Sequence, residues 1–338
     1  MRAARLHGIR DLRVEDVPDP TPAPGEVLLA VKAVGVCGSD LHHYLEGSIG
    51  ALHSPEPFIL GHEFAAEVLE GGPLAPGTLV AVDPNRACGA CEWCRDGHTN
   101  LCPNVRFMGV PPYPGALAEY ATARPEELVP LPPDFDAVTG ALLEPLGVAI
   151  HALDLARLRP LASVAVIGLG PIGLLILQVA RACGAGRIVA VDPLPYRRAL
   201  ASTLGADAVA ATAAGVLEAT EGRGVDVVLE ATNSPEGPQH AAEAVRVGGR
   251  LVLVGIPTGN AFTLDAALVR RKGLTIKMSR RMRHVYPRAI AMVQAGMVTF
   301  APLATHRFDL DGAPAAFELH ADYRDGVVKS VVFPGVDA

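Results

Sequence analysis

The amino-acid sequence predicts a two-domain α/β protein in which a β-rich, barrel-like region precedes a parallel sheet covered by helices on both faces. Three observations support this prediction. The chain has 338 residues, about twice the length of a typical domain. Its first 145 residues contain short alternating apolar runs between turns rich in proline and glycine. From about residue 146, apolar strands alternate with glycine turns and helices, which is typical of a parallel sheet.

The β-rich region begins with residues 1–10, which predict a charged edge strand. Further strands are predicted at 26–36, 64–69 and 79–82, separated by turn segments such as PDPTPAPGE. In the second region SVAVIG, RIVAVD, VDVVLEAT and GGRLVLVG predict strands, and segments such as PIGLLILQVARACG and PQHAAEAVRV predict helices. After about residue 285 the pattern predicts helices at 287–295 and 313–319 and a final strand, VVKSVVF.

Composition narrows the classes of function. Half of the residues are hydrophobic and 19% are charged, a balance typical of a folded core. The formal net charge of −7 argues against nucleic acid as a partner, and the basic cluster Arg197-Arg198 is interpreted as a solvated face or a cofactor-facing patch. There is no basic-then-apolar leader and no run of about 18 uncharged apolar residues, so we expect a cytoplasmic protein without membrane contact.

A glycine-rich turn predicts a dinucleotide site. Residues 168–173 (GLGPIG) match GxGxxG between a predicted strand and a predicted helix. Gly168 allows the tight turn, Gly170 lets the backbone approach a pyrophosphate, and Gly173 allows helix and strand to pack closely. The pyrophosphate would lie on the N-terminus of the helix that begins with Pro171 and Ile172, where free N–H groups favour anions.

The choice between NAD and NADP is predicted from the end of the next strand. Asp192 lies 19 residues beyond Gly173, where a carboxylate accepts hydrogen bonds from a ribose and repels a 2′-phosphate. The sequence therefore favours NAD. Arg197 is assigned to the same site, and together with Arg198 it is the first candidate to hold a phosphate if NADP is used instead.

Cysteine spacing predicts a metal site in a short lobe at about 86–103. Four of the six cysteines fall within fifteen residues in a C-x2-C-x2-C-x7-C pattern, and four thiolates close a tetrahedral shell around Zn²⁺. No position is left for a substrate, so the predicted role is structural. An iron–sulfur cluster is the alternative that this spacing leaves open. The four ligands are Cys88, Cys91, Cys94 and Cys102.

A second, scattered group suggests a catalytic metal. The segments CGSDLH, GHE and EPL contain a cysteine, a histidine and two glutamates, and one thiolate, one imidazole and one carboxylate leave an open position on zinc. The spacing does not decide which glutamate is the ligand. The candidates are Cys37, His62, Glu63 and Glu144.

With these residues in hand, the chain resembles the zinc-dependent medium-chain dehydrogenase/reductase family over nearly all of its length. The segments GEVLLAVKAVGVCGSDLHHY, ILGHEF, the four-cysteine lobe, GALAEYA, LLEPLGVAIHA, VIGLGPIG, LGAD, GGRLVLVGIP and THRFDLDGAPAAFE stand in family order. The resemblance implies two zinc ions per chain, NAD as the cofactor and an alcohol as the substrate. It also implies that Cys37, His62 and Glu63 bind the catalytic zinc, with Glu144 at or just behind the metal.

The resemblance extends to one branch of the family. The alcohol dehydrogenase branch carries a cysteine at the Glu144 position, whereas the EPL segment here matches the sorbitol (polyol) dehydrogenase branch. By the same resemblance Ser39 and His42 form the proton relay, and Phe107 and Arg281 line the substrate pocket. Two departures near that pocket, His43 and Met282 at positions where relatives carry aromatic residues, leave the exact substrate open.

The resemblance implies a GroES-like catalytic domain at 1–145 and 286–338 and a Rossmann domain at 146–285, with the active site in the cleft between them. The implied reaction is hydride transfer from a secondary alcohol of a polyol or vicinal diol to NAD. L-threonine 3-dehydrogenase and 2,3-butanediol dehydrogenase remain alternatives, and an idle NAD-binding regulatory protein is the non-enzyme alternative. Because relatives form dimers or tetramers, a homodimer or homotetramer is expected.

Overall fold

The computed structural model describes residues 1–50, 52–53 and 57–335, and the chain divides into two compact units. The first unit comprises Met1–Glu144 and the segment that begins at Ala304, and the second comprises Pro145–Leu303. The last three residues of the predicted 286–338 segment lie outside the described residues.

The first unit is rich in short strands, as predicted. Its elements up to residue 156 are β1 (Arg2–Gly8), β2 (Asp11–Asp16), β3 (Val27–Gly35), α1 (Gly38–Glu46), β4 (Ser48–Ile49), β5 (Leu52–His53), β6 (Phe58–Ile59), β7 (Glu63–Glu70), β8 (Leu79–Val82), β9 (Asn85–Arg86), α2 (Glu92–Arg95), β10 (Arg106–Phe107), β11 (Tyr120–Ala123), β12 (Leu128–Pro130) and α3 (Ala137–Ala156). The division between the units falls inside α3.

The second unit alternates strands and helices. Its elements are β13 (Ser163–Ile167), α4 (Pro171–Ala182), β14 (Arg187–Val191), α5 (Pro195–Thr203), β15 (Ala208–Ala210), α6 (Ala214–Ala219), β16 (Val225–Glu230), α7 (Gly237–Ala244), β17 (Val245–Leu253), α8 (Ala266–Lys272), β18 (Thr275–Met278) and α9 (Tyr286–Gln294). The first unit then resumes with β19 (Ala304–Asp309), α10 (Ala313–Ala321) and β20 (Lys329–Phe333).

A mixed sheet organises the first unit. Its strand order is β12-β8-β7-β3-β20-β19, and β11 also pairs with β3. Strand β3 is buried at alternate positions, and its antiparallel register with β7 places Gly35 opposite Glu63. The other side of β3 pairs with β20, which returns from the end of the chain. Residues near 35, 63 and 330 therefore meet at one end of the central strands.

The second unit contains the predicted parallel sheet. Its order, β15-β14-β13-β16-β17-β18, reverses direction between β13 and β16, and every pairing is parallel. This is the doubly wound arrangement in which ligands bind at the carboxyl ends of the strands at the reversal point. Residues 245–247 differ from the prediction, because this end of the predicted helix PQHAAEAVRV already belongs to β17.

The second unit extends past the predicted boundary at 286, to Leu303. A polar contact explains why these residues stay with it: buried Gln178 of α4 accepts a hydrogen bond from the Thr299 backbone N–H at 2.8 Å and donates to the Thr299 carbonyl at 3.3 Å. Arg288 of α9 forms an ion pair with Asp154. The composition of residues 286–303 carries no signal of either contact.

Helix α3 is, within the described ranges, the one helix that is long and apolar enough to cross a membrane, with a mean hydropathy of 1.3. Glu144 and Asp154 interrupt its apolar run, which is why the run escapes a search for uncharged stretches. Burial explains the apolar character of α3, because 78% of its most apolar 18 residues are buried inside the protein. A buried core helix therefore has the length and composition that a membrane-spanning helix would need.

Candidate active site and cofactor sites

The four cysteines of the predicted lobe converge on one point. All four Sγ atoms lie within 4.8 Å of one another. The Sγ atom of Cys91 is 3.4 Å from that of Cys94 and 3.9 Å from that of Cys102, and Cys88 is 3.9 Å from Cys94. Tetrahedral zinc with Zn–S bonds of about 2.3 Å separates its sulfur ligands by roughly 3.8 Å. The donor set therefore fits a zinc ion with a closed shell.

The thiols of the lobe differ in how readily they lose a proton. Backbone N–H groups of Ala90 and Cys91 lower the pKa of Cys88 to about 6, because they stabilise its thiolate. Burial raises the pKa of Cys94 to about 12, so that thiol keeps its proton until a metal displaces it. Zinc binding by the lobe is therefore expected to release protons.

The second ligand group comes together from residues that are distant in the chain. The ligand atoms of Cys37, His62 and Glu63 all lie within 4.8 Å of one another. Cys37 is the N-cap of α1, whereas His62 and Glu63 stand at the start of β7. His62 and Glu63 are 4% and 1% exposed, so the metal would bind in a nearly dry environment. A thiolate, an imidazole and a carboxylate form a three-ligand shell that fits zinc with one open position.

Glu144 lies close to this group but outside it. Among the described residues, the set with ligand atoms within 4.8 Å of one another contains Glu63 and not Glu144. Burial raises the pKa of Glu144 to about 8, and of the nearby charges His62 lowers it while Glu63 raises it. In the absence of metal, the side chain therefore carries a proton at neutral pH. This geometry favours Glu63 as the ligand that the sequence left undecided.

Asp40 is a functional candidate that the sequence analysis did not assign. Its carboxylate accepts hydrogen bonds from the Cys37 and Gly61 backbone N–H groups at 3.1 and 3.3 Å. Its Oδ1 atom also lies 3.4 Å from His62 Nδ1, at ion-pair distance. Metal-binding histidines commonly have a carboxylate behind the ring in this position. The available signal is an acidic residue in the first turn of a helix that begins directly after a ligand cysteine.

Asp40 also controls the charge of His62. Burial alone would lower the pKa of His62, but the negative charges of Asp40 and Cys37 outweigh burial and raise it well above its usual value. In return the positive imidazole keeps the pKa of Asp40 low despite its burial. Metal binding therefore has to displace a proton from His62.

The predicted proton relay lies on α1. Ser39 Oγ donates a hydrogen bond to Cys37 Sγ at 3.3 Å and lies 3.4 Å from His62 Nε2, which places the hydroxyl beside the metal ligands. His42, three residues later on the same helix, is 9% exposed. Its Nδ1 atom lies 2.7 Å from Glu46 Oε1, a contact that the sequence analysis did not anticipate.

Phe107 is buried against a metal ligand. Its ring centroid lies 5.3 Å from that of His62, at an interplanar angle of 58°. The predicted pocket residue thus borders the site within the first unit. Arg281 belongs to the second unit, where it is half-buried with a φ of 55° between β18 and α9. Its role in the substrate pocket stays a prediction.

Lys329 is the second residue that the sequence analysis missed. Its Nζ atom lies 2.6 Å from Glu63 Oε2, and both side chains are nearly inaccessible to solvent. The signal was present in the sequence as a lysine inside the strand pattern VVKSVVF, in a chain with only four lysines. A charge in a buried strand needs a partner, but the sequence does not say which.

The predicted dinucleotide turn has the required geometry. Gly168 has a φ of 90°, and a Cβ atom at Gly173 would lie 1.8 Å from the Gly168 carbonyl oxygen, so helix and turn pack as closely as expected. Gly170 is the N-cap of α4, and a Cβ atom there would meet only the Arg197 guanidinium, at 3.9 Å. The helix N-terminus, which begins with Pro171, is therefore open to a phosphate group.

Asp192 follows β14 at the edge of this turn. Its Oδ2 accepts a hydrogen bond from the Leu169 N–H at 2.8 Å, and its Oδ1 accepts one from the Leu194 N–H at 2.9 Å. Arg197 Nη1 lies 3.7 Å from Asp192 Oδ2, whereas Arg198 donates to the Asp192 carbonyl at 2.7 Å. The predicted acid and arginine thus lie together beside the glycine turn.

Comparison with known proteins identifies the family. Residues 23–133 match the family model described as alcohol dehydrogenase GroES-like domain, and residues 171–295 match that described as zinc-binding dehydrogenase. The chain is 36% identical over 343 aligned residues to a sorbitol dehydrogenase of Bacillus subtilis (strain 168), covering 99% of this chain and 97% of the relative.

Solved structures agree with this assignment. The 2R,3R-butanediol dehydrogenase from Bacillus subtilis superposes with a TM-score of 0.87 at 32% identity, covering 99% of both chains. A protein assigned as a zinc-binding dehydrogenase from Sinorhizobium meliloti 1021, bound to NADP, gives a TM-score of 0.89 at 33% identity, covering 98% of this chain and 99% of that one. The predicted GroES-like and Rossmann fold and the predicted use of zinc and a nicotinamide cofactor are thereby confirmed. The chain belongs to the zinc-dependent medium-chain dehydrogenase/reductase family, and within it is similar to the sorbitol dehydrogenases.

Proposed function

We propose that this protein oxidises a secondary alcohol of a polyol or vicinal diol and transfers the hydride to NAD. The observation that carries the proposal is the cluster of Cys37, His62 and Glu63, with Glu144 buried nearby. Its similarity to a sorbitol dehydrogenase and to a butanediol dehydrogenase supports a substrate with neighbouring hydroxyl groups.

Ser39 and His42 are proposed to remove the hydroxyl proton. When bound, zinc supplies a Lewis acid for the substrate oxygen, and the nicotinamide accepts the hydride. Ser39 Oγ, which lies beside two of the ligands, would receive the proton and pass it along α1. The contact between His42 Nδ1 and Glu46 favours the tautomer in which Nδ1 donates and Nε2 accepts.

Substrate choice is proposed to rest on polar groups in an otherwise apolar site. Glu144 and Arg281 would supply a carboxylate and a guanidinium, with Phe107 on one wall. Buried polar groups are stabilised when substrate hydroxyls complete their hydrogen bonds, and an analogue that leaves them unpaired is rejected. A polyhydroxylated alcohol meets this requirement, whereas 2-propanol does not.

The proposal is tested with a panel of sugar alcohols, 2,3-butanediol, threonine and 2-propanol, each with NAD and NADP. We expect a sugar alcohol or vicinal diol to exceed 2-propanol in kcat/KM by at least a hundredfold, and Arg281→Ala to reduce that advantage. Arg283→Ala, a neighbouring exposed arginine, is the matched control. The polyol assignment fails if 2-propanol matches the best polyol or if threonine exceeds both, and absence of turnover would favour the regulatory alternative.

We further propose that the protein works in the cytoplasm as a homodimer or homotetramer. Strand β18 ends the described six-stranded sheet, and Met278 on it is 60% exposed. An edge strand has unpaired backbone N–H and C=O groups that can pair with a strand of another chain. Light scattering on the purified protein tests this, and a monomer at micromolar concentration would contradict it.

A further inference from the structure

A buried lysine stands behind the candidate catalytic metal site. Lys329, the first residue of β20, is 2% exposed. Its ammonium group donates to Glu63 Oε2 at 2.6 Å and to the Val36 carbonyl oxygen at 2.9 Å. Burial of an ammonium ion is costly unless the ion is paired and hydrogen-bonded. The lysine and the glutamate therefore depend on each other in this dry environment.

Three strands hold the pair in place. In the register of β3 with β7, Gly35 lies opposite Glu63, and a Cβ atom at Gly35 would lie 2.3 Å from Glu63 Oε2. Only glycine leaves room for the carboxylate here. On the other side of β3, the Val36 N–H donates to the Ser330 carbonyl at 3.0 Å, which fixes β20 beside the site. The position of the Glu63 carboxylate is therefore set by backbone on one side and by Lys329 on the other.

The charges around the metal position explain why a cation would be useful there. Three groups are anionic in the metal-bound site, namely the Cys37 thiolate and the carboxylates of Asp40 and Glu63. A divalent zinc ion and Lys329 together balance the charges of these three groups. Without the lysine, the same site would carry one net negative charge and would attract a cation more strongly.

We propose that Lys329 is a positioning residue for the zinc site. Its ammonium group fixes the carboxylate of Glu63 and offsets one negative charge, so the ligand set binds zinc less tightly than it would without the lysine. The consequence is that more of the metal's positive charge stays available to a substrate oxygen. This inference rests on the proposed function in one respect only, that Cys37, His62 and Glu63 bind zinc.

The test compares the zinc affinity of wild type and Lys329→Met, measured by chelator competition on protein whose lobe zinc is retained. We expect Lys329→Met to bind the site's zinc at least tenfold more tightly and its zinc-free form to be less heat-stable than zinc-free wild type. In cobalt-substituted protein, the visible absorption bands should shift, because the Glu63 carboxylate loses its fixed orientation. Unchanged or weaker zinc binding would overturn the proposal.

A matched control separates this role from ordinary packing. Lys272 is another partly buried lysine, and it donates to three backbone carbonyls in the second unit. Lys272→Met should lower stability and leave both the zinc affinity and the cobalt spectrum unchanged. If Lys272→Met also tightens zinc binding, the effect is not specific to the site and the proposal fails.

A second pair of variants covers the case in which Lys329→Met does not fold. In the Glu63→Gln background, the loss of Lys329 no longer leaves the carboxylate of Glu63 buried without its partner. Glu63→Gln/Lys329→Met should bind zinc at least tenfold more tightly than Glu63→Gln alone. Equal or weaker binding would overturn the proposal. Because the readout is zinc affinity, a protein that binds zinc as expected but oxidises no polyol would refute the proposed function and leave this inference standing.

Discussion

The role of Asp40 leads to a prediction whose size follows from its contacts. The variant Asp40→Asn keeps the side-chain volume but replaces one carboxylate oxygen with an NH2 group. Since the two oxygens accept from the Cys37 and Gly61 N–H groups, either orientation of the amide leaves one buried N–H unpaired. An unpaired buried N–H costs about 1–3 kcal/mol. The contact with His62 Nδ1 is weakened as well.

The second effect of Asp40→Asn is on the metal. Loss of a carboxylate behind a ligand histidine typically lowers metal affinity by about 10- to 100-fold. We therefore expect the catalytic zinc to be lost at roughly 10- to 100-fold lower chelator concentration, with a parallel loss of turnover. Zinc uptake should also depend less on pH, because the negative charge that raises the pKa of His62 against its burial is gone.

The assay for Asp40→Asn is metal content after titration with a chelator, followed by turnover with the best substrate. Asp226→Asn is the matched control, because Asp226 also accepts several hydrogen bonds but lies in the second unit. The control should lower stability and leave zinc content unchanged. The reasoning is refuted if Asp40→Asn keeps wild-type zinc affinity and turnover, or if both variants lose zinc equally.

Four further predictions follow from the site. Cys94→Ser should release the lobe zinc, lower thermal stability and change the fluorescence of Trp93, the chain's single tryptophan, which lies inside the lobe. Asp192→Ala should narrow the preference for NAD over NADP by about tenfold, because the charge that repels a 2′-phosphate is removed. Glu46→Gln should lower kcat several-fold at unchanged KM, since the amide no longer holds the His42 ring in the tautomer in which Nδ1 donates. Burial raises the pKa of Glu144 from an ordinary 4.5 to about 8 in the folded, zinc-free protein. Between pH 4.5 and 8 unfolding therefore releases a proton, so the free energy of unfolding falls as pH rises through this range. Glu144→Gln should remove this pH dependence of stability.

Each of these predictions has an outcome that would contradict it. Unchanged Trp93 fluorescence and an unchanged melting temperature in Cys94→Ser would contradict the presence of a zinc ion in the lobe. A wild-type enzyme that uses NADP as well as NAD would contradict the assignment of Asp192. A Glu46→Gln variant with a raised KM and an unchanged kcat would indicate a substrate contact instead of a relay. Equal pH dependence in wild type and Glu144→Gln would show that other groups set it.

Local geometry explains which parts of the site could be predicted from the sequence. The four lobe cysteines and the glycine turn are contiguous, so short loops and a single strand–turn–helix unit bring their atoms together. The alternation of strands and helices likewise predicted the parallel sheet, although residues 245–247 begin β17 instead of ending a helix. The periodicity of a strand can be told from that of a helix only over several residues, so the exact ends of the elements stay undetermined.

The remaining features were decided by tertiary structure. Cys37 and Glu63 are brought together because β3 and β7 pair with Gly35 opposite Glu63, a register that no local pattern contains. Lys329 reaches the same carboxylate from a strand near the end of the chain. The sequence by itself determined which side chains could bind zinc and a dinucleotide, because side-chain chemistry is a local property and because the lobe cysteines and the glycine turn are closely spaced. Only strand register and burial determined that Glu63 joins the ligand group, that Asp40 lies behind His62 and that Lys329 balances the charge of Glu63. These features depend on contacts between distant segments of the chain.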